Sequence, residues 1–470
     1  MNADPTPTPA TTPTPAGPTP TRRRFLQQLG AAGAAGLVVG APALVRGRDL
    51  NSRLQVAAVG VDGMGLSDVR NIGGHERTAF VGFCEVDQRR FANADEAFPD
   101  VPHFADYREM LRELGDKVDA VSVSTPDHMH APVSLLAMRL GKHVYCQKPL
   151  AHTVEEARIM REVAAETGVI TQMGNQIHSA IEYRLATSLL RQRPIGVIRE
   201  VHSWVGVGGN QYTRRLDPLP EALPPGELDW DLWIGAAPMR AYAPGYHPFS
   251  WRDWQDFGGG ALGDFGCHLL DPVHTALGLG APLSVKAVHS GINDQVWPAW
   301  QEVEFMFKGT EFTGADELKL VWHDGGRQPA RQLAKMPDNL DLPRSGSLFV
   351  GEEGTVVLPH VGGPRLYPQE KFRGHEYPRE QGFNHWHVWV DACLAGERTS
   401  DGFHYAGPLA ETVLLGTVAA RASYADLDRR GGYDINAPTL EWDAEQMRIP
   451  NLPEAERWLR KDYREGFGIS

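Results

Sequence analysis

The sequence is short of cysteine, short of basic charge and without a long apolar run, and each shortage removes a class of function. Four cysteines occur in 470 residues, Cys84, Cys146, Cys267 and Cys393. They are far apart and form no Cys-x-x-Cys pair, so neither a zinc knuckle nor a disulfide framework is indicated and buried thiols are expected. Lysine and arginine total 46 against 59 acidic residues, for a net charge of −13. Nucleic acid and anionic membranes select a basic surface that displaces counterions, so both are excluded as partners. A small neutral molecule or another protein is expected instead. The apolar stretch that ends near Val39 is too short and too rich in glycine for a stable membrane span. What the chain does have is 42% hydrophobic and 22% charged residues, with 50 glycines, 35 prolines and 12 tryptophans. That is the profile of a globular protein with long loops, and its length calls for two domains plus an unstructured end.

Residues 2–20 are rich in Pro, Thr and Ala and have too little apolar surface to build a core. Then come Thr21-Arg22-Arg23-Arg24-Phe25-Leu26, a mildly apolar Gly/Ala stretch and the small-residue site Ala41-Pro42-Ala43. This pattern resembles a twin-arginine export signal, against the plainer reading of a basic patch ahead of a short helix. It predicts export by the twin-arginine machinery, cleavage near Ala43, and a periplasmic or extracellular protein that begins near Leu44 and folds before it leaves the cytoplasm.

From Leu54 the run Leu-Gln-Val-Ala-Ala-Val reads as a buried parallel strand, and it ends in Gly60-Val61-Asp62-Gly63-Met64-Gly65 before a helical stretch. A second apolar run, Ala79 to Cys84, ends in Glu85, and a third, Ala120 to Ser124, ends in Thr125-Pro126-Asp127-His128, with His130 two residues on. Helical stretches such as Asp106 to Gly115 lie between. Strands alternating with helices predict a doubly wound parallel sheet that binds its ligand beyond the carboxyl ends of the strands. The glycine turn reads as a dinucleotide site in which Gly60 makes the turn and Gly65 packs the helix. Asp62 stands where that fingerprint has its middle glycine, and its carboxylate would repel a pyrophosphate unless it points away. Gly63 is expected to take over the close approach, with Met64 beside it. Glu85 is placed to accept hydrogen bonds from an adenosine ribose, which favours NAD, while Arg89 and Arg90 leave NADP open. A solvated strand-end carboxylate is the plainer reading of Glu85.

Further on, His143-Val144-Tyr145-Cys146-Gln147-Lys148-Pro149-Leu150 precedes the helical Thr153-Val154-Glu155-Glu156-Ala157. It resembles the Glu-Lys-Pro segment of the Gfo/Idh/MocA oxidoreductases. The later run Gly258-Gly259-Gly260-Ala261-Leu262-Gly263-Asp264-Phe265-Gly266-Cys267-His268 resembles the Asp-x-x-x-His helix of the same family. The resemblance covers Leu54 to about Ala422 and is strongest to secreted bacterial members with an extended second domain. It implies a Rossmann domain followed by a domain with a large open mixed β-sheet, and a homo-oligomer. It also implies a catalytic group of Lys148, Asp264 and His268, and a nicotinamide cofactor touched by Gly60, Asp62, Gly63, Met64, Gly65, Glu85, Thr125, Pro126, His130, Gln147 and Lys148, which export requires to be tightly bound. The chemistry agrees, because oxidising an alcohol needs a base for the hydroxyl proton as the hydride leaves. Asp264 and His268, four apart, share one helix face. The plainer readings are a surface lysine, a helix-capping aspartate and a structural histidine. Gln147 departs from the family's glutamate, keeping hydrogen-bonding capacity but withdrawing a negative charge from Lys148.

The domains expected are a disordered tract and signal (1–43), a linker (44–53), a Rossmann domain (54–173), a substrate and oligomerisation domain (174–435) and a tail (436–470). The segment Gly168 to His178 reads as the last strand of the first sheet passing into a hinge, and Ile198 to Val205 as a strand of the second. Asn175, His178 and Trp204 are candidate substrate contacts. So are Tyr246, Trp251 and Arg252, from an aromatic insertion that also contains Trp230, Trp233, Tyr242, His247, Phe249 and Trp254. Aromatic faces beside polar donors suit a sugar ring, although such runs also build cores. Asn384-His385-Trp386-His387 resembles metal-ligand spacing only superficially and reads as the start of a helix, so no metal is expected. Three functions compete: oxidation of a secondary hydroxyl of a sugar, polyol or glycoside; cleavage of a glycoside through transient oxidation at its third carbon; and sugar binding on a non-catalytic scaffold.

Overall fold

The computed structural model describes residues 53–207, 219–423 and 437–469. The export signal, its cleavage site and most of the linker therefore lie outside the described residues.

The apolar runs of the first half become a six-stranded parallel sheet in the order β3-β2-β1-β4-β5-β6. Its strands are β1 Leu54–Val59, β2 Thr78–Cys84, β3 His103–Phe104, β4 Ala120–Val123, β5 His143–Gln147 and β6 Thr171–Gly174. Five of the six β1 residues are buried, as a strand covered on both faces requires. Between the strands run α1 (Met64–Gly73), α2 (Ala92–Ala97), α3 (Tyr107–Leu114), α4 (His130–Arg139) and α5 (Val154–Thr167). Their ends follow local chemistry. Asp106 caps α3 by accepting from Arg108 N–H at 2.8 Å. Thr153 and Glu156 form a reciprocal capping box on α5, which stops at Gly168 with φ 67°.

The second sheet has eight strands in the order β13-β12-β11-β7-β10-β9-β8-β14 and is mixed, since β7 and β10 run parallel while their other neighbours pair antiparallel. Its central members are β7 (Ile198–Trp204), β8 (Pro282–His289), β9 (Gln301–Lys308), β10 (Glu317–His323) and β11 (Gly346–Gly351). The rest are β12 (Thr355–Pro359), β13 (Arg365–Tyr367) and β14 (Leu440–Glu441). Along β9 the residues alternate between buried Val303, Phe305 and Phe307 and more exposed Glu302, Glu304 and Met306, the signature of a sheet packed on one side. After α6 (Ile181–Arg191) and α7 (Trp230–Ile234), two long helices cover that inner face: α8 (Gly260–Leu277) and α10 (Phe403–Ala422).

The two halves are less separate than the sequence suggests. Helix α9 (His385–Ala395) returns to the first half, where Trp389 and Val390 pack with Leu54, Val56, Ile72 and Tyr145. The tail returns as well, through Tyr463 donating to Glu156 at 2.8 Å and Arg108 donating to the Gly466 carbonyl at 2.8 Å. All four cysteines are buried thiols.

Candidate active site

A cleft of about 610 Å³ opens at the carboxyl ends of β1, β2, β4 and β5. Gly60, Asp62, Gly63, Met64, Glu85, Thr125, Pro126, Gln147 and Lys148 line it, together with Trp251 and Arg252 from the aromatic insertion. Two expected cofactor contacts do not. Gly65 packs against the preceding turn, where an added Cβ would come within 2.2 Å of the Gly60 carbonyl oxygen. His130 faces the Pro149 and Thr125 carbonyls at 2.7 and 2.9 Å, and burial pushes its imidazole down to about 4. It therefore braces the loop behind the cleft and donates from one nitrogen only.

A dinucleotide fits what is present. Gly63, the residue that precedes α1, has φ 57° and open space where a Cβ would stand, and no side chain caps the helix, so the amino end of α1 is left for an anion. Asp62 does not obstruct it. Its carboxylate turns toward Arg90, with Oδ2 2.7 Å from Nη1. Glu85 accepts from the backbone N–H groups of Val86 at 3.0 Å, Asp87 at 3.2 Å and Val61 at 3.4 Å, which fixes its carboxylate at the cleft wall with lone pairs to spare.

At the other end, Lys148 Nζ donates to Asp264 Oδ1 at 2.5 Å and to the Asp264 carbonyl oxygen at 2.9 Å. Arg252 Nε lies 3.5 Å from the same Oδ1, and its guanidinium stacks 4.2 Å from the Trp251 ring centre. Asp264 is not the cap of α8, which begins at Gly260, but sits in the second turn facing Lys148. One turn on, His268 Nδ1 donates to Asn175 Oδ1 at 2.6 Å, leaving Nε2 as an acceptor. Burial, then the charge of Lys148, hold His268 well below the usual histidine value, so its ring is neutral near pH 7. This arrangement joins a fixed ammonium to a neutral imidazole acceptor.

Asn175 thus orients His268 from a fully buried position, and is not a surface contact for substrate. Three other candidate substrate contacts are corrected. Trp204 is fully buried among Leu348, Val357 and Tyr367, with its indole N–H on the Pro343 carbonyl at 2.8 Å. Its place on β7 points it to the outer face, away from α8. His178 pairs with Asp271 at 2.9 Å and Ser400 at 3.0 Å; burial would push it down, but Asp271 and Asp401 hold it up at about 9. Tyr246 lies in the insertion's own core with Trp230, Trp254 and Phe257. The insertion is therefore core for the most part, and only Leu232, Trp233, His247, Pro248, Phe249, Trp251 and Arg252 of it reach the cleft.

Sequence reading missed three residues. Asp127, right after Thr-Pro, lines the cleft, accepts from Gly259 N–H at 3.2 Å and is raised to about 7 by burial despite Arg252. Asp68 on α1 is fully buried and accepts from Ser124 Oγ at 2.7 Å, Gln147 Nε2 at 2.9 Å and Trp386 Nε1 at 2.8 Å. So the amide at position 147 faces a carboxylate. His360, from the loop after β12, stands 5.7 Å from the His268 ring centre and is pushed down by burial and then by Lys148. Only Asp127 carried a signal, its place at a strand end.

A model of the Gfo/Idh/MocA oxidoreductase family's NAD-binding Rossmann fold matches residues 54–175, and one of its C-terminal alpha/beta domain matches residues 192–317. Together they cover just over half of the chain. D-glucoside 3-dehydrogenase of Escherichia coli is 31% identical over 37% of this chain and 40% of its own length. Glycosyl hydrolase family 109 protein 1 of Shewanella sp. is 29% identical over 30% of this chain and 33% of its own. The chain thus spans well under half the length of these curated relatives. The WlbA dehydrogenase of Bordetella pertussis, solved with NADH and UDP-GlcNAcA, shares the fold with TM-score 0.54 at 18% identity, over 78% of this chain and 97% of its own.

Proposed function

Because the chain belongs to the Gfo/Idh/MocA oxidoreductase family, we propose that it oxidises a secondary hydroxyl of a sugar, polyol or glycoside with NAD held in the cleft. The observation that carries this reading is the contact of Lys148, which lines the cleft, with Asp264, which lies one helical turn before His268 on α8. The nicotinamide, when bound, accepts the hydride. Lys148 spends two of its three N–H donors on Asp264 and keeps one for the substrate oxygen. His268, neutral and with Nε2 unprotonated, takes the hydroxyl proton. Asp264 orients Lys148 and balances its charge. Trp251 and Arg252 offer a ring face and a cation to the substrate.

Leu232, Trp233, His247 and Phe249 of the insertion and Phe467 of the tail add apolar and aromatic surface to the cleft lining, which supports a cofactor retained through purification. Retention suits the export that the sequence around Arg22 and Arg23 predicts, since free nicotinamide is scarce outside the cytoplasm. The same lining, and the likeness to a glycosyl hydrolase family 109 protein, favour a second reading. In it the hydride removed from the third carbon is returned at the end, after loss of the neighbouring proton has expelled the glycosidic substituent and water has added. The test is to denature purified protein, identify the nucleotide released, and then screen sugars, polyols and glycosides for reduced-nicotinamide absorbance and for sugar release. Absorbance gain supports net oxidation, and sugar release without it supports cleavage. A protein that releases no nucleotide overturns both.

A further inference from the structure

Resting on the cofactor reading above, we propose that Asp62 sets the choice between the two nicotinamide dinucleotides by holding Arg90 in an ion pair that withholds it from a 2′-phosphate. Asp62 occupies the position where the glycine turn has its middle glycine, yet its backbone is not in the left-handed region, so a side chain is accommodated there. That side chain points sideways. Oδ2 is 2.7 Å from Arg90 Nη1 and Oδ1 is 3.4 Å from Asn93 Nδ2. Asp62, Glu85 and Arg90 all line the cleft beyond β1 and β2, whereas the cleft-lining Lys148 and Arg252 are gathered on Asp264 at the opposite end.

Arg90 is engaged a second time, with Nε 3.7 Å from Asp87 Oδ2, and Asp87 is itself held by Arg89 at 2.7 Å and His247 at 3.0 Å. A phosphorylated ribose would thus meet a wall of carboxylates and one cation already paired. Both partners of the Asp62–Arg90 pair are 22% exposed, and a pair in that setting contributes little to stability. Its consequence is electrostatic. An arginine presents a rigid fork of donors matched to phosphate, and it serves that purpose only when no carboxylate occupies the fork. Removing Asp62 leaves Arg90 beside the ribose site, tethered loosely by Asp87 and able to turn toward a 2′-phosphate. It also removes a negative charge close to the amino end of α1, so binding of both dinucleotides should tighten, NADP more than NAD.

The experiment is a competition. Full-length wild type and Asp62→Asn are equilibrated with equal excess NAD and NADP until occupancy is constant, freed of unbound nucleotide, and denatured to count what each carried. The ratio of NADP to NAD should rise about tenfold or more in Asp62→Asn, and fall back in Asp62→Asn/Arg90→Leu. If Asp62→Asn does not fold, Asp62→Gly carries the same expectation. A ratio within about twofold of wild type, or a gain that persists without Arg90, overturns the inference while leaving the cofactor reading intact. A wild type that carries neither dinucleotide overturns the cofactor reading itself.

Discussion

Asn175 Oδ1 lies 2.6 Å from His268 Nδ1, and the Asn175 amide donates to the Cys267 carbonyl at 3.3 Å, so the orientation of the amide dictates which histidine nitrogen carries the proton. Replacing Asn175 by Leu should lower turnover by about 10- to 100-fold with nucleotide content unchanged, since only the aim and tautomer of His268 are lost. Asn175→Asp should keep the geometry and raise the pKa of the imidazole. The acid limb of the turnover profile then moves to higher pH. An Asn175→Leu enzyme with wild-type turnover and profile would remove His268 from the reaction.

Lys148 and His268 come from distant segments and are proposed to serve one proton path. Lys148→Ala should cost about 10²–10⁴ in turnover while the purified protein still carries its nucleotide. Adding His268→Ala should cost little more, because groups acting as a unit are not additive. Asp264→Asn should fall between wild type and Lys148→Ala. Near-normal turnover of Lys148→Ala on a confirmed substrate would remove Lys148 from the proton path.

Asp127 is buried and its pKa is raised from 3.8 to about 7. Between those values the unfolded chain has released a proton that the folded protein keeps, so this group's contribution to stability falls as pH rises through that window. Asp127→Asn removes the dependence and keeps an acceptor for Gly259 N–H. From pH 5 to pH 8, wild type should lose on the order of 2–3 kcal/mol more than the variant, read from urea midpoints at both pH values. Parallel losses would place the proton elsewhere.

Gln147 Nε2 contacts both oxygens of the fully buried Asp68, at 2.9 and 3.0 Å. Gln147→Glu, which restores the residue of the related segment, should therefore destabilise this protein, because two carboxylates would share one buried site. The melting temperature of Gln147→Glu should drop more at pH 8 than at pH 5. Asp68→Asn should rescue it, and a double variant no better than Gln147→Glu would show that the pairing does not govern this position.

Export is tested separately. Replacing Arg22 and Arg23 with Lys, which keeps the charge, should trap the protein in the cytoplasm with the residues before Ala43 still attached, as judged by fractionation and mass. Unchanged export would exclude the twin-arginine route.

By itself the sequence determined the parallel sheet, because buried strands broken by a glycine turn and amphipathic helices pack in few ways. It also determined that Asp264 and His268 share a face, because a spacing of four leaves a helix no alternative. The strand from Ile198 and the helix starts at Asp106 and Thr153 were equally local, written in alternation and capping residues. Only the tertiary structure decided what depends on chain returning from far away. Trp204 could not be read as core until the 333–342 segment and β11 to β13 closed over it. Asp68 could not be read as the shared acceptor of Gln147 on β5 and Trp386 on α9. Nor could His360 be placed beside His268, or Arg90 against Asp62, since a ring contact between residues 92 positions apart and an ion pair between residues 28 apart follow no sequence period. Local propensity fixes elements, whereas the charge and tautomer of a site residue depend on whatever the fold sets against it.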